Sequence, residues 1–296
     1  MNRRGFALIA VLWLLAALSM LAGGSLAVAR SGLTASRNRI LLAREAWARE
    51  ACVEILLGRY AKAGTEVLLS RKLAGLTSSL DSVGLGRDTW CSAKLEDPST
   101  RINLNLADPA TLSALLRNDS LADALLDWRD ADAIPRHSGA EAAWYRSHHR
   151  IEPRNAPLAS LDELRLVRGF DSLTVGRLAL LLTVRGNGAV NPNIASIPVL
   201  RAALDLPEDA VAVLAQYRSR GQPVHSLDEF LGMLSAPTRR QLASRYQELQ
   251  QRLSFTPGEL TALVTGRVGE SPLRADLVMT LVPLPDRLAV IRRETE

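Results

Sequence analysis

At 296 residues, 47% of them hydrophobic, the chain is long enough for one or two folded units with a sizeable core. Only 4% are aromatic, so Leu, Ala and Val must carry most of the burial. Two cysteines, Cys52 and Cys91, exclude a disulfide framework and a Cys-based zinc site, leaving one pairing open in an oxidising compartment. The net charge of +5 is carried mainly by Arg within an Ala-rich and Leu-rich composition, and alone it singles out neither nucleic acid nor anionic lipid.

Met1 to Gly5 is short and positive, and Phe6 to Ala29 carries no charge before Arg30. As a helix that stretch is about 36 Å long, enough for a hydrocarbon core of about 30 Å. A signal peptide cut near Ala27-Val28-Ala29 would have an unusually long apolar stretch, and Arg30, Arg37 and Arg39 weaken the positive-inside case for a plain signal anchor. Arg3-Arg4-Gly5 followed by Phe6-Ala-Leu-Ile-Ala-Val-Leu-Trp13 resembles the leader of type IV pilins and type II secretion pseudopilins. In those families a membrane peptidase cuts after the Gly and keeps the apolar helix. Most carry Glu at the fifth mature position, where this chain has Ala10; the K-type minor pseudopilin is the member that lacks it.

Beyond Arg30, Leu33, Ile40, Leu41, Ala43, Trp47, Ala51, Ile55 and Leu56 keep helical spacing, which predicts one helix from Phe6 to about Ala63, ended by Gly64. Its amphipathic half needs a packing partner such as a β-sheet. The Ser-rich and Gly-rich stretch from Thr77 to Gly86 reads as loop. Strands are predicted at Thr89–Leu95, Leu260–Val268, Arg274–Val282 and Leu288–Arg292. β-signals therefore flank a helical middle, as when one domain is inserted into another.

That middle, from about Ile102 to Arg252, contains a repeat. Ile102-Asn103-Leu-Asn105-Leu-Ala107 answers Val190-Asn191-Pro-Asn193-Ile-Ala195, and Ser160-Leu-Asp-Glu-Leu164 answers Ser226-Leu-Asp-Glu-Phe230, both serines with capping-box spacing. The first Asn and the Ser are 57 positions apart in copy one and 35 in copy two, so copy one carries extra residues around Asp127–His149. Asp127, Asp130, Asp132 and Glu141 there offer the hard oxygen ligands that Ca²⁺ prefers; the competing reading pairs these acids with Arg129, Arg136 or Arg154 in solvent. His137, His148 and His149 read as surface histidines, and no nucleophile elbow or phosphate loop is present. Leu164 to Leu180 resembles a helix-hairpin-helix, but Asp171 stands where the second turn glycine would meet phosphate. The alternative reading this leaves is a membrane-tethered DNA-binding protein of the competence type.

The leader, Arg101–Ala107, Asp127-Trp-Arg-Asp-Ala-Asp132, Gly139-Ala-Glu141, Tyr145, Arg154-Asn155, Ser160–Gly169 and Val190–Asn193 together resemble the general secretion pathway protein K family, the large minor pseudopilin of type II secretion. The resemblance implies an α+β, pilin-like fold with an inserted α-helical domain of two helix-hairpin-helix-like repeats. Its parts would be a leader at 1–5, a transmembrane segment at 6–29, a periplasmic helix at 30–63, a β-sheet region at 64–101 and 253–296, and the insertion at 102–252. It further implies a non-enzymatic subunit at the tip of the pseudopilus, cut by prepilin peptidase between Gly5 and Phe6. Such a subunit crosses the inner membrane once and displays its C-terminal domain in the periplasm. Its partners would be the I-type and J-type minor pseudopilins, other pseudopilins, and secreted substrates or secretin, with no nucleic acid. The family has been seen with calcium, which here implies Asp130, Asp132 and Glu141 as ligands, with Asp127 a weaker fourth.

Overall fold

The computed structural model describes residues 3–63, 80–271, 276–284 and 286–295. Helix α1 (Arg3–Ala63) is continuous, and its residues 11–40 are exposed throughout. Gly64 and the stretch 77–79 lie outside the described residues. Among the described residues, five antiparallel strands form one sheet in the order β1 (Leu80–Gly86), β2 (Thr89–Glu96), β5 (Leu260–Val268), β6 (Asp276–Pro283) and β7 (Leu288–Thr295). Strand β1 corrects the expected loop. Its Gly and Ser content is poor for a strand, but pairing with β2 overrides propensity, and two register irregularities absorb the misfit. Arg87 and Asp88, both at positive φ, make the two-residue hairpin turn.

The sheet buries alternate side chains, as period-2 geometry requires: Thr89, Cys91, Ala93 and Leu95 on β2, and Leu260, Ala262 and Val264 on β5. Helix α1 lies on this face through Glu45, Ala48, Cys52, Val53 and Leu56. Gly266 permits the close crossing, because a Cβ there would stand 2.4 Å from the Glu45 carbonyl oxygen. Burial pushes the Glu45 carboxyl above its ordinary range, against a lowering hydrogen bond from Ser271 and the nearby Arg49. The apolar spacing of α1 thus serves two faces. Leu26, Leu33, Ile40 and Trp47, seven apart, are 52%, 72%, 62% and 57% exposed and form a stripe away from the sheet.

Strands β2 and β5 are hydrogen-bonded neighbours, with Glu96 opposite Thr261, so the helical domain leaves and rejoins the sheet at the same end. It comprises β3 (Ile102–Asn103), α2 (Pro109–Leu116), α3 (Asp119–Arg129), α4 (Ala142–Ser147), α5 (Ser172–Leu178), β4 (Leu182–Thr183), α6 (Ile197–Leu204), α7 (Glu208–Ser219), α8 (Leu227–Gly232), α9 (Ala236–Ala243) and α10 (Tyr246–Arg252). Its core is separate from that of the sheet and is built around Trp128, Tyr145, Leu112, Leu200 and Phe230.

The repeat holds atom by atom. Asn103 Oδ1 accepts from Asn105 N at 2.9 Å, as Asn191 Oδ1 does from Asn193 N at 2.9 Å. The Asn105 amide clasps the Leu158 backbone in both directions, at 3.0 and 2.8 Å, and Asn193 clasps Val224 likewise, both at 2.8 Å. Arg129 donates to the Leu104 and Ala107 carbonyls, and Arg218 to those of Pro192 and Ala195. The capping box forms in copy two, where Ser226 Oγ accepts from Glu229 N. In copy one the serine half is missing: Leu161–Leu166 is a 3₁₀ turn and Ser160 makes no capping bond. Glu163 still accepts from Ala159 N at 2.9 Å, as Glu229 does from His225 N at 2.7 Å, and takes Trp128 Nε1 on its other oxygen.

Candidate metal centre

Arg129 precedes Ser160 by 31 residues, whereas its counterpart Arg218 precedes Ser226 by 8. The additional chain is the loop joining α3 to α4 and the segment after α4. Both ends of the loop are fixed by helix termini: Asp130 is the residue after α3, and Glu141 is the residue before α4. The loop folds back so that carboxylate oxygens of Asp130, Asp132 and Glu141 all lie within 4.8 Å of one another. Among the described residues this is the group of acidic, His or Cys side chains that converges in this way.

Buried acceptors are normally paired, so orphaned ones call for an explanation. Glu141 is buried and neither of its oxygens has a well-directed hydrogen bond; Asp130 Oδ1 is orphaned too. Burial pushes the Glu141 carboxyl up, the Ala142 N–H pulls the other way, and Asp127, Asp130 and Asp132 add negative charge that raises it further. Asn155, at φ +50°, donates its amide to the Asp132 carbonyl at 2.7 Å and leaves its own Oδ1 buried without a partner. Asn155 belongs to the Arg154-Asn155 motif, but the sequence gives this oxygen no role, because nothing in the spacing places it beside the acidic loop.

Asp127 lies outside the converging group and has another role. It is fully buried, accepts from Arg136 N at 3.1 Å and sits 3.4 Å from Arg136 Nε. Burial raises its carboxyl, while hydrogen bonds from the Arg136 and Ala140 N–H groups oppose the shift. It therefore ties the loop to α3, against Gly139, where a Cβ would stand 1.9 Å from Asp127 Oδ2. Arg168 holds the Gly139 carbonyl at 2.8 Å, and Tyr145 Oη accepts from Arg168 N at 2.8 Å.

The competing ion-pair reading accounts for little. Arg129 is spent on carbonyls and Arg154 lies 3.5 Å from Glu163; only Arg136 reaches the acids, at Asp130 and Asp127. Oxygen donors of mixed carboxylate and amide type suit a hard cation such as Ca²⁺. His148 is stacked on Trp144 with Nδ1 on the Trp144 carbonyl. Asp171 caps α5 by accepting from Thr174 N at 2.6 Å, so the site where phosphate would approach holds a carboxylate. The Gly5–Phe6 junction lies in the first turns of α1, and the side chains of residues 1–10 are outside those described; Cys52 and Cys91 meet in the core of the sheet.

These features define a class of fold: a long helix on an antiparallel sheet, pilin-like, with a helical domain inserted between neighbouring strands; among the described residues one helix is long and apolar enough to cross a membrane. Residues 101–187 match the family described as type II secretion system (T2SS), protein K. Type II secretion system protein K of Dickeya chrysanthemi is 32% identical over 126 residues, 40% of this chain and 34% of that relative. The protein of the same description from Pseudomonas aeruginosa is 25% identical over 317 aligned positions, 95% of this chain and 89% of the relative. A chain in the crystal structure of the GspK-GspI-GspJ complex from the enterotoxigenic Escherichia coli type 2 secretion system shares the fold, with a TM-score of 0.53 and 19% identity over 84% of this chain and 98% of that one. The family match is confined to residues 101–187, in the first part of the inserted helical domain, and the likeness to the solved structure is one of fold.

Proposed function

We propose that the chain is the tip subunit of a type II secretion pseudopilus, assembling with I-type and J-type minor pseudopilins and supporting export of folded proteins. The observation that carries this reading is α1. Residues 11–40 are exposed throughout and, up to Ala29, uncharged; Leu26, Leu33, Ile40 and Trp47 follow one another at heptad spacing, with Trp47 turned away from the sheet. A seven-residue apolar stripe is the pattern by which one helix packs along another. In this reading the helix is held in the inner membrane, the folded part stands in the periplasm, and neighbouring pseudopilin helices cover the stripe. The inserted domain would obstruct a further subunit above. The role is assembly and not catalysis. The DNA-binding alternative is disfavoured by Asp171, which opposes phosphate where a hairpin would grip it.

Prepilin peptidase would cut between Gly5 and Phe6. Intact mass of the protein extracted from membranes tests this: a chain beginning at Phe6 is expected, and one beginning at Met1 or Arg30 would contradict the reading.

The same reading places calcium at Asp130, Asp132 and Glu141, with Asn155 Oδ1 completing the donor set and Asp127 positioning the loop. Bound there, the ion would supply the charge that the orphaned oxygens lack and fix the loop between α3 and α4. Isothermal titration of the chelator-treated chain with Ca²⁺ tests this. Heat of binding that disappears in Asp132→Asn is expected; no binding by the wild-type chain would remove the assignment.

A further inference from the structure

The cysteines are 39 positions apart, one on α1 and one on β2, and nothing in the assembly role uses them. Yet the fold brings them together. Cys91 is paired across the sheet with Gly266, the glycine over which α1 crosses, and Ala48 packs on that glycine at 3.2 Å from where its Cβ would be. Cys52 is one helical turn beyond Ala48 on the same face. Both side chains are buried, both are thiols in this structure, and both belong to the one core cluster under α1. The surrounding core is apolar, lined by Val53, Ala93 and Val264.

We propose that Cys52 and Cys91 are a cystine in the mature protein, a covalent staple between the spine helix and the sheet. The proposal rests on the periplasmic placement argued above. In forming it each thiol gives up a proton, one S–S bond is made, and two electrons pass to the disulfide of a periplasmic thiol oxidase, leaving that enzyme as a dithiol. Burial pushes both thiols up, which makes them poor nucleophiles once α1 is docked. The reaction therefore belongs to folding, before the helix closes over β2. The bond would cross-link α1 directly to β2 at the place where the helix crosses the sheet.

The test is thiol counting on the full chain, extracted from membranes in detergent and unfolded directly into an alkylating reagent. Neither cysteine should be modified, the mass should be two hydrogens lighter than the dithiol, and both should react after reduction. Reductant should lower the wild-type Tm by about 10 °C, as expected for opening a loop of about 40 residues. It should leave Cys52→Ala/Cys91→Ala unchanged. A second arm refolds the reduced chain in a glutathione redox buffer. Free thiols in both arms overturn the pairing and leave the location untouched. A cystine on refolding but free thiols in the extracted protein overturns the periplasmic placement and the native cystine together. A cystine in both supports the proposal.

Discussion

Replacing Gly139 with Ala puts a methyl group where the Asp127 carboxylate already stands. The new Cβ would lie 1.9 Å from Oδ2 and 2.7 Å from Cγ, so the carboxylate must recede by more than about 1 Å to reach ordinary contact. Asp127 is fully buried, and the movement pulls it from the Arg136 N–H at 3.1 Å. A buried acceptor stripped of its donor costs about 1–3 kcal/mol, more if charged. The Arg136 ion pair adds little, because the guanidinium is 40% exposed. Gly139→Ala is therefore expected to destabilise the chain by about 3 kcal/mol and lower Tm by roughly 8 °C in thermal unfolding monitored by circular dichroism. The same substitution in an Asp127→Ala background should cost less than about 0.5 kcal/mol, since the clashing group is gone. An unchanged Tm in the single variant, or equal losses in both backgrounds, would refute the assigned contact.

Three further outcomes are expected. Adding Ca²⁺ at a hundred times its Kd to chelator-treated protein should raise stability by about 2.7 kcal/mol, and Glu141→Gln should abolish the rise in a thermal-shift assay. Asn105→Ala and Asn193→Ala should each cost about 2 kcal/mol, because each removes a two-way clasp on one backbone residue; denaturant titration that finds one of them neutral would break the equivalence of the repeats. Asp97 is held above its ordinary carboxyl range by burial, against hydrogen bonds from Ser99 and Asn191. A carboxyl with a raised folded pKa disfavours the native state once ionised, so its contribution is best below the unfolded value near 3.8 and declines as pH rises through the folded value. Asp97→Asn should flatten that decline and gain on the order of 1 kcal/mol at neutral pH; an unaltered pH profile of stability would contradict the assignment.

Much of this was legible in the sequence because the signals were local and periodic. Thr89–Leu95 and Leu260–Val268 alternate cleanly, and the structure places strands there. The Asn and Ser-x-x-Glu signatures marked the repeat because each side chain closes on backbone a few residues away or on its counterpart loop. What escaped was set by tertiary contact. Strand β1 exists through its partner and not through its own composition. The apolar spacing of α1 gave no means of telling the sheet face, which holds Glu45 and the small residues Ala48 and Cys52, from the outward stripe ending at Trp47. The group Asp130, Asp132 and Glu141 was named through the family resemblance, whereas the part of Asp127 in tying the loop depends on where α3 ends and α4 begins. Asn155 holds the Asp132 carbonyl from beyond α4, a relation that spacing does not encode.

The central claim is that this chain is a pseudopilus tip subunit. It is tested most directly by affinity purification of the tagged full-length chain from membranes in which the I-type and J-type minor pseudopilins are co-produced. A complex containing all three subunits is expected, weakened by Ile40→Glu and Trp47→Glu without loss of the chain's own fold. Recovery of the chain without either partner would contradict the account.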